Sequence, residues 1–457
     1  MIEIITKINS AVNNFVWGPV MLLLLVGTGV YLTARTGCIQ AAKFGYIMRN
    51  TVGSLFRRRE KRDKDAKNLT PFQAVTTALA GTVGTGNIAG VTGAIFAGGP
   101  GAVFWMWFAA FFGMFTKFAE IVLALKYRQV DENGVHYGGP MYYIEKGLGM
   151  KWLAVLFSLV AGFACFGIGN ISQSSEIAGA MEGLFGMSGL TTGVLLAVVV
   201  GIVVLGGVQR IGRVTSYMVP FMAIFYIGAG LAVILLRIDQ VPAALASIFT
   251  SAFSFEAVGG GVFGYAIMVA MRQGFARGVF SNEAGLGSAP MAHAASETQE
   301  PVEQGMWGVF EVFIDTIVIC TLTSLAVILS GVLDVGLDSY ATNGAAAGAA
   351  FNAILPGTIG GTIIQISLLF FALSTILGWS YYGERCWAYL SNNNKAVVWI
   401  FKVVFVLVCI VGATGNGTLM WDISDTLNGM MAIPNLIGLL LLSNVIIRST
   451  NDYFKKH

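Results

Sequence analysis

The chain has 457 residues, of which 56% are hydrophobic and only 11% charged, with a net charge of +3. Soluble domains carry roughly 25% charged residues, so an ordinary water-soluble globular protein is excluded. The small basic excess sits in loops between apolar runs and gives no ground for a nucleic-acid partner. Apolar runs of around 18 residues or more recur from end to end, which defines an all-α polytopic membrane protein in contact with the lipid bilayer.

The first predicted span covers about 14–35. It has no basic flank or small-residue cleavage site, so it reads as a retained helix rather than a signal peptide. The loop from Arg35 to Lys67 holds Arg57, Arg58, Arg59, Lys61, Arg62 and Lys64, the strongest cytoplasmic marker in the chain. Ten further spans follow at about 71–97, 101–127, 152–178, 189–208, 215–237, 255–280, 306–332, 361–387, 396–414 and 428–448. Alternation from the basic loop puts Lys126, Arg128, Lys146, Lys151, Arg210, Arg213, Arg272, Arg277, Arg385 and Lys395 inside, with the tail residues Arg448, Lys455 and Lys456. Lys7 and Arg237 fall outside. The expected topology is N-terminus out and C-terminus cytoplasmic, in the plasma (inner) membrane. The five cysteines (Cys38, Cys165, Cys320, Cys386, Cys409) show no metal-ligand spacing and read as small buried hydrophobes.

The second span contains Thr77-Ala78-Leu79-Ala80-Gly81-Thr82-Val83-Gly84-Thr85-Gly86-Asn87. Glycine weakens a helix, and hydroxyls and amides are costly in hydrocarbon unless satisfied. Irregular backbone survives at membrane depth only where protein buries it or where it lines a polar cavity. The stretch therefore predicts an interrupted helix near 82–87; the plainer alternative is a small-residue face for helix packing. After residues 1–70 (extra span and basic loop), ten spans divide into 71–237 and 238–448, followed by a tail at 449–457. Five spans per half give the halves opposite orientation, the geometry of an inverted repeat. The first span of the second half carries the corresponding polar break, expected within Gln273-Gly274-Phe275-Ala276-Arg277-Gly278-Val279-Phe280.

An interrupted helix exposes N–H groups that hold a carboxylate and C=O groups that suit a hard cation. Gly84 and Gly86 allow close approach of a ligand, and Thr82, Thr85 and Asn87 add side-chain oxygen. In the span 361–387, Phe370-Phe371-Ala372-Leu373-Ser374-Thr375 offers two adjacent hydroxyls for a sodium shell. The alternative is that both bond back to their own helix. Trp379 is a candidate wall of the pocket and Gln173 a candidate lining residue. Lys117, Glu120, Glu176, Glu256, Glu311 and Asp315 lie within or near span ends. An ion pair between Lys117 and one of these acids is expected, with proton coupling through Asp315 as the alternative. There is no HExxH, no GxxxxGK[ST] and no clustering of His136, His293 and His457, so an enzyme is not indicated.

The stretch from Thr77 to Val91, together with Arg277-Gly278-Val279-Phe280-Ser281-Asn282-Glu283-Ala284-Gly285-Leu286-Gly287-Ser288-Ala289-Pro290, resembles the signature of the alanine/glycine:cation (sodium:alanine) symporter family across essentially the whole chain. That resemblance implies the leucine-transporter (LeuT) architecture, with about 11 spans as a five-plus-five repeat behind one extra helix. It implies that the carbonyls of Ala80 and Val83 bind sodium with Ser374 and Thr375, next to Phe371. The backbone at Thr85 and Gly86 would hold the substrate carboxylate, and Asn87 would contribute to a second sodium in some members. The implied function is sodium-coupled import of alanine or glycine, the cation being co-transported. A proton-coupled permease and an amino-acid-gated channel or sensor are the alternatives; oligomeric state is not indicated.

Overall fold

The computed structural model describes residues 2–56, 67–253, 262–415 and 417–456. The basic run Arg57–Lys64 and Glu256 lie outside the described residues. The molecule is almost wholly helical; a two-stranded antiparallel hairpin, Gln129–Val130 with His136–Tyr137, decorates one connection. Among the described residues, seven helices are long and apolar enough to cross a membrane, or up to nine if each of two bent pairs counts as one span. Helices Gly189–Val204 and Val262–Asn282 occupy the two remaining predicted ranges.

Burial sorts these helices into layers. In Gly101–Lys126, 83% of the most apolar window is buried, so this helix is central. Only 28% is buried in Gly207–Leu236 and in Lys395–Thr414. Those two helices turn Ile224, Leu235 and Trp399 outward, each more than 60% exposed. Apolar side chains facing outward on helices this hydrophobic fit a hydrocarbon surround, where helices satisfy their own backbone groups. The four cysteines Cys165, Cys320, Cys386 and Cys409 are buried, Cys38 partly so, and all five are free thiols.

Two interruptions dominate the interior. Helix Pro71–Thr82 starts cleanly: Pro71 occupies the first turn, and Thr70 and Gln73 exchange side-chain-to-backbone hydrogen bonds of 3.0 and 3.1 Å. It stops at Val83, and the chain resumes after a turn at Thr85–Asn87 as Ala89–Gly98, bent by 58°. Helix Val262–Asn282 runs without interruption through 273–280, so the second break does not fall where the sequence pattern placed it. It falls at 283–289, where Glu283, Gly285 and Gly287 take left-handed φ values of 56°, 94° and 81° before the short helix Pro290–Ala294. Glycine adopts that conformation without steric cost, which is why the break follows the second glycine pair rather than the first. Two further helices contain π turns, Gly167–Ile171 and Phe313–Cys320.

At one end, Leu69 is tied to the segment after the second break: its N–H donates to Ala295 O (2.9 Å) and its carbonyl accepts from Glu297 N–H (2.8 Å). The two interruptions are therefore linked by backbone at that end and face one another in the interior.

Candidate functional site

The first break is held open by its own asparagine. The Gly84 N–H donates to Asn87 Oδ1 (2.9 Å) instead of continuing the helical ladder to the Ala80 carbonyl. Val83 turns extended, with ψ at 91°. Thr375 crosses so close to Gly84 that an added Cβ would stand 2.4 Å from its hydroxyl oxygen. Glycine is required there by approach, not by φ. Ser374 and Thr375 both donate to the Phe371 carbonyl, at 2.8 and 2.9 Å, as hydroxyls in membrane helices commonly do. Ser374 Oγ also lies 3.4 Å from the Val83 carbonyl. Oxygens of Val83, Phe371, Ser374 and Thr375 thus converge at the end of helix Pro71–Thr82, a donor set suited to a hard monovalent cation.

Thr85 and Gln173 join across the same space. The Thr85 hydroxyl donates to Gln173 Oε1 (3.1 Å), while Gln173 Nε2 donates to Ile168 O (3.0 Å), a carbonyl of the π turn. Wide turns of this kind release carbonyls from the regular ladder. Gly81, Thr82, Gly84, Gly86, Ile168, Gln173, Phe280, Glu283, Thr375 and Trp379 together line a narrow cavity of about 10 Å³. That is room for about one water-sized sphere. Trp379 seals it from behind, packed so tightly on the π turn that a Cβ on Gly169 would sit 2.4 Å from its own.

Beside Gly86, Asn87 Nδ2 donates to Asp315 Oδ1 (2.7 Å). Asp315 Oδ2 accepts from Ser281 (2.9 Å) and Thr316 (2.8 Å). Thr323 donates to the Asn87 carbonyl at 2.8 Å. A fully buried carboxylate surrounded by neutral donors stands at the meeting point of both breaks. Lys117, by contrast, pairs with Glu311 at 3.1 Å, and His293 meets the other oxygen of Glu311 at 3.0 Å. Glu311 and Asp315, four residues apart, thus serve separate networks because the π turn beginning at Phe313 rotates one away from the other.

A second, larger space lies beyond Phe280. It is an open cleft of about 560 Å³ whose walls include Gly90, Glu176, Gln273, Arg277, Asp422 and Asp425. The Arg277 guanidinium lies 5.4 Å from the Phe280 ring and 3.4 Å from Asp425 Oδ1, at the floor between cleft and cavity.

The expected site residues therefore separate. Thr82, Gly84, Gly86, Gln173, Phe280, Thr375 and Trp379 line the cavity, and Thr85 reaches it through Gln173. Asn87, Val83, Phe371 and Ser374 adjoin these residues, and Ala80 is buried one turn earlier in helix Pro71–Thr82. Gln273 lines the outer cleft instead. Gly274 and Gly278 pack against Ala102, Trp105 and Met106 of helix Gly101–Lys126, and Phe275 faces a separate apolar groove with Trp17 and Leu22. These four are corrected out of the cavity, because an unbroken helix turns them to three other faces. Arg272 and Arg277 are also displaced: they bond Asn14 and Asp425, at the end of the molecule opposite the Lys126–Ser449 contact. Expectation put them on the Lys126 side by alternation, with the span ending near 280; instead residues 274–278 lie beside Ala102–Met106, near the start of helix Gly101–Lys126. Glu283, Ile168 and Gly81 are the lining residues that the sequence pattern did not single out.

Comparison with known proteins gives the family and the fold. A model described as the sodium:alanine symporter family matches residues 2–457. The sodium/alanine symporter AgcS of Methanococcus maripaludis is 48% identical over 455 residues, covering 99% of this chain and 97% of its own. The amino-acid carrier protein AlsT of Bacillus subtilis is 36% identical over 454 residues, covering 98% and 92%. Among solved structures, MhsT in complex with L-phenylalanine superimposes with a TM-score of 0.58 at 15% identity, over 86% of this chain and 99% of that one. A manganese transporter of Eremococcus coleocola follows at 0.52 and 15%, over 86% and 81%. The structural likenesses establish the leucine-transporter type of fold, and the sequence likenesses establish the rest: the chain belongs to the sodium:alanine symporter family, as a sodium-coupled amino acid symporter and not an enzyme.

Proposed function

We propose that this symporter carries alanine and glycine into the cell by alternating access, with the amino acid in the cavity between the two helix interruptions. The observation that carries the reading is the juxtaposition of that very small cavity with the oxygens of Val83, Phe371, Ser374 and Thr375. With room for about one water, the cavity has to widen between Trp379 and Phe280 to take even alanine, a tightness that favours a methyl side chain or none. The substrate carboxylate binds the turn at Thr85 and Gly86, and sodium binds the Ala80 and Val83 carbonyls with Ser374 and Thr375. Glycines at 84 and 86 let the ligand reach the backbone. The name of the Methanococcus relative supports alanine as cargo.

Transport then requires the spans 71–237 and 238–448, as two repeats, to exchange which face of the cavity is open. The cleft above Phe280, floored by Arg277, is the outward entrance, the C-terminus is cytoplasmic, and the membrane is the plasma (inner) membrane. Sodium and alanine each favour the same occluded state, so each tightens the other's binding.

The test is uptake of labelled alanine into proteoliposomes holding the purified protein. Accumulation above the external concentration is expected with an inward sodium gradient and not without it; accumulation indifferent to sodium overturns the proposal. The buried Asp315 carboxylate favours one second reading, in which this group exchanges a proton or a second cation. Asp315→Asn would then abolish a pH- or sodium-dependent component of uptake while leaving alanine binding intact.

A further inference from the structure

The carboxylate of Glu283 is unclaimed by the sodium and carboxylate sites described above. Glu283 closes helix Val262–Asn282, its N–H donating to Val279 O at 2.8 Å, and it does so as a left-handed residue (φ 56°). Non-glycine residues rarely take that conformation, and where they do the position has usually been kept for a purpose. Here the purpose is to aim the carboxylate sideways into the cavity shared with Gly86, Gln173 and Trp379. The side chain is 1% exposed, and the Ser288 hydroxyl, from the far end of the second break, donates to Oε2 at 2.5 Å.

Charges at this depth are expensive unless matched. Glu311 is matched, held by Lys117 and His293, whereas Glu120, like Glu283, has only a neutral donor, Asn435. Among the described residues, no Lys, Arg or His lies within ion-pair distance of Glu283. The carbonyl end of Val262–Asn282 adds partial negative charge at the same place. Across the cavity stands the turn that opens helix Ala89–Gly98, an end of opposite sign. The cavity thus has an anionic wall facing the turn at Thr85 and Gly86 that opens helix Ala89–Gly98, an arrangement complementary to a zwitterion.

We propose that Glu283 binds the α-ammonium of the transported amino acid, with Ser288 as the positioning residue that fixes its carboxylate. The inference rests on the reading that this cavity takes the amino acid. It makes the amino group, and not only the carboxylate, a condition of recognition: a 2-hydroxy acid of the same size and shape presents no cation to Glu283.

The experiment compares binding of labelled alanine to the purified transporter in saturating sodium, competed by unlabelled alanine or by lactate. In the unaltered protein lactate competes far more weakly than alanine. Glu283→Gln is expected to weaken alanine about 10- to 100-fold, the range for a lost charge-assisted hydrogen bond. Lactate is expected to change little, so that discrimination collapses, and sodium binding without alanine is expected to be retained. Ser288→Ala, which keeps the carboxylate, is expected to fall between, and it decides the matter if Glu283→Gln does not fold. Unchanged alanine affinity, equal weakening of alanine and lactate, or loss of sodium binding in the absence of alanine overturns the proposal. Failure of the unaltered protein to bind alanine overturns instead the reading on which it rests.

Discussion

Ser374 and Thr375 show how two readings of one residue pair can hold together. Both hydroxyls bond back to the Phe371 carbonyl, yet that bonding leaves their oxygens beside Val83. A hydroxyl that donates to a carbonyl still has lone pairs to offer a cation. Removing both, as Ser374→Ala with Thr375→Ala, is expected to raise the sodium concentration for half-maximal alanine uptake by about tenfold or more, with the thermal midpoint nearly unchanged. An unaltered sodium dependence would place the ion elsewhere. At this scale the sequence was informative where polarity contradicted its surroundings: Asn87, Thr85 and Gln173 stand out in apolar spans, and all three bond one another or the broken backbone. It was misleading at 273–280. Gln273 and Arg277 are four apart, as are Gly274 and Gly278, a spacing that marks two faces of one continuous helix. Read as periodicity rather than composition, the same residues point to an unbroken turn of helix. Glu283 escaped because its chemistry depends on a left-handed backbone that no residue type announces.

Among elements, the central helix Gly101–Lys126 is joined to the helix beginning at Pro301 by Lys117 and Glu311, both fully buried. Removing one member of such a pair leaves a bare charge and costs about 3–5 kcal/mol, whereas replacing both by apolar groups is close to neutral. Lys117→Met and Glu311→Met are each expected to lower the thermal midpoint in detergent sharply, and the double variant to recover part of the loss, the remainder reflecting His293, which loses its Glu311 partner. A double variant as unstable as the worse single one would show that the pair does more than cancel charge. The lengths and apolar character of the spans were legible, since hydrocarbon thickness fixes both. The π turns at Gly167–Ile171 and Phe313–Cys320 were not, because one extra residue per turn leaves the apolar pattern nearly intact. Each turn nonetheless decides a contact: the first offers Ile168 O to Gln173, and the second separates Asp315 from Glu311.

For the molecule as a whole, the two ends differ. One opens into the cleft at Arg277 and Asp425; the other is crossed by Leu69, whose N–H and carbonyl grip Ala295 and Glu297. Those two backbone bonds span from the start of the first interrupted helix to the segment after the second, so they report on the relation between the interruptions themselves. Their consequence is temporal. An amide proton exchanges with solvent only when its bond opens, so the protons of Leu69 and Glu297 are a built-in clock for how long this end stays shut. Supplying sodium and alanine together, so that the transporter turns over, is expected to speed their exchange relative to sodium alone, while amides deep in Gly101–Lys126 keep their pace. Equal exchange with and without alanine would mean that the tie never opens during transport, and the lifetime of the shut state would then have to be timed somewhere else in the molecule.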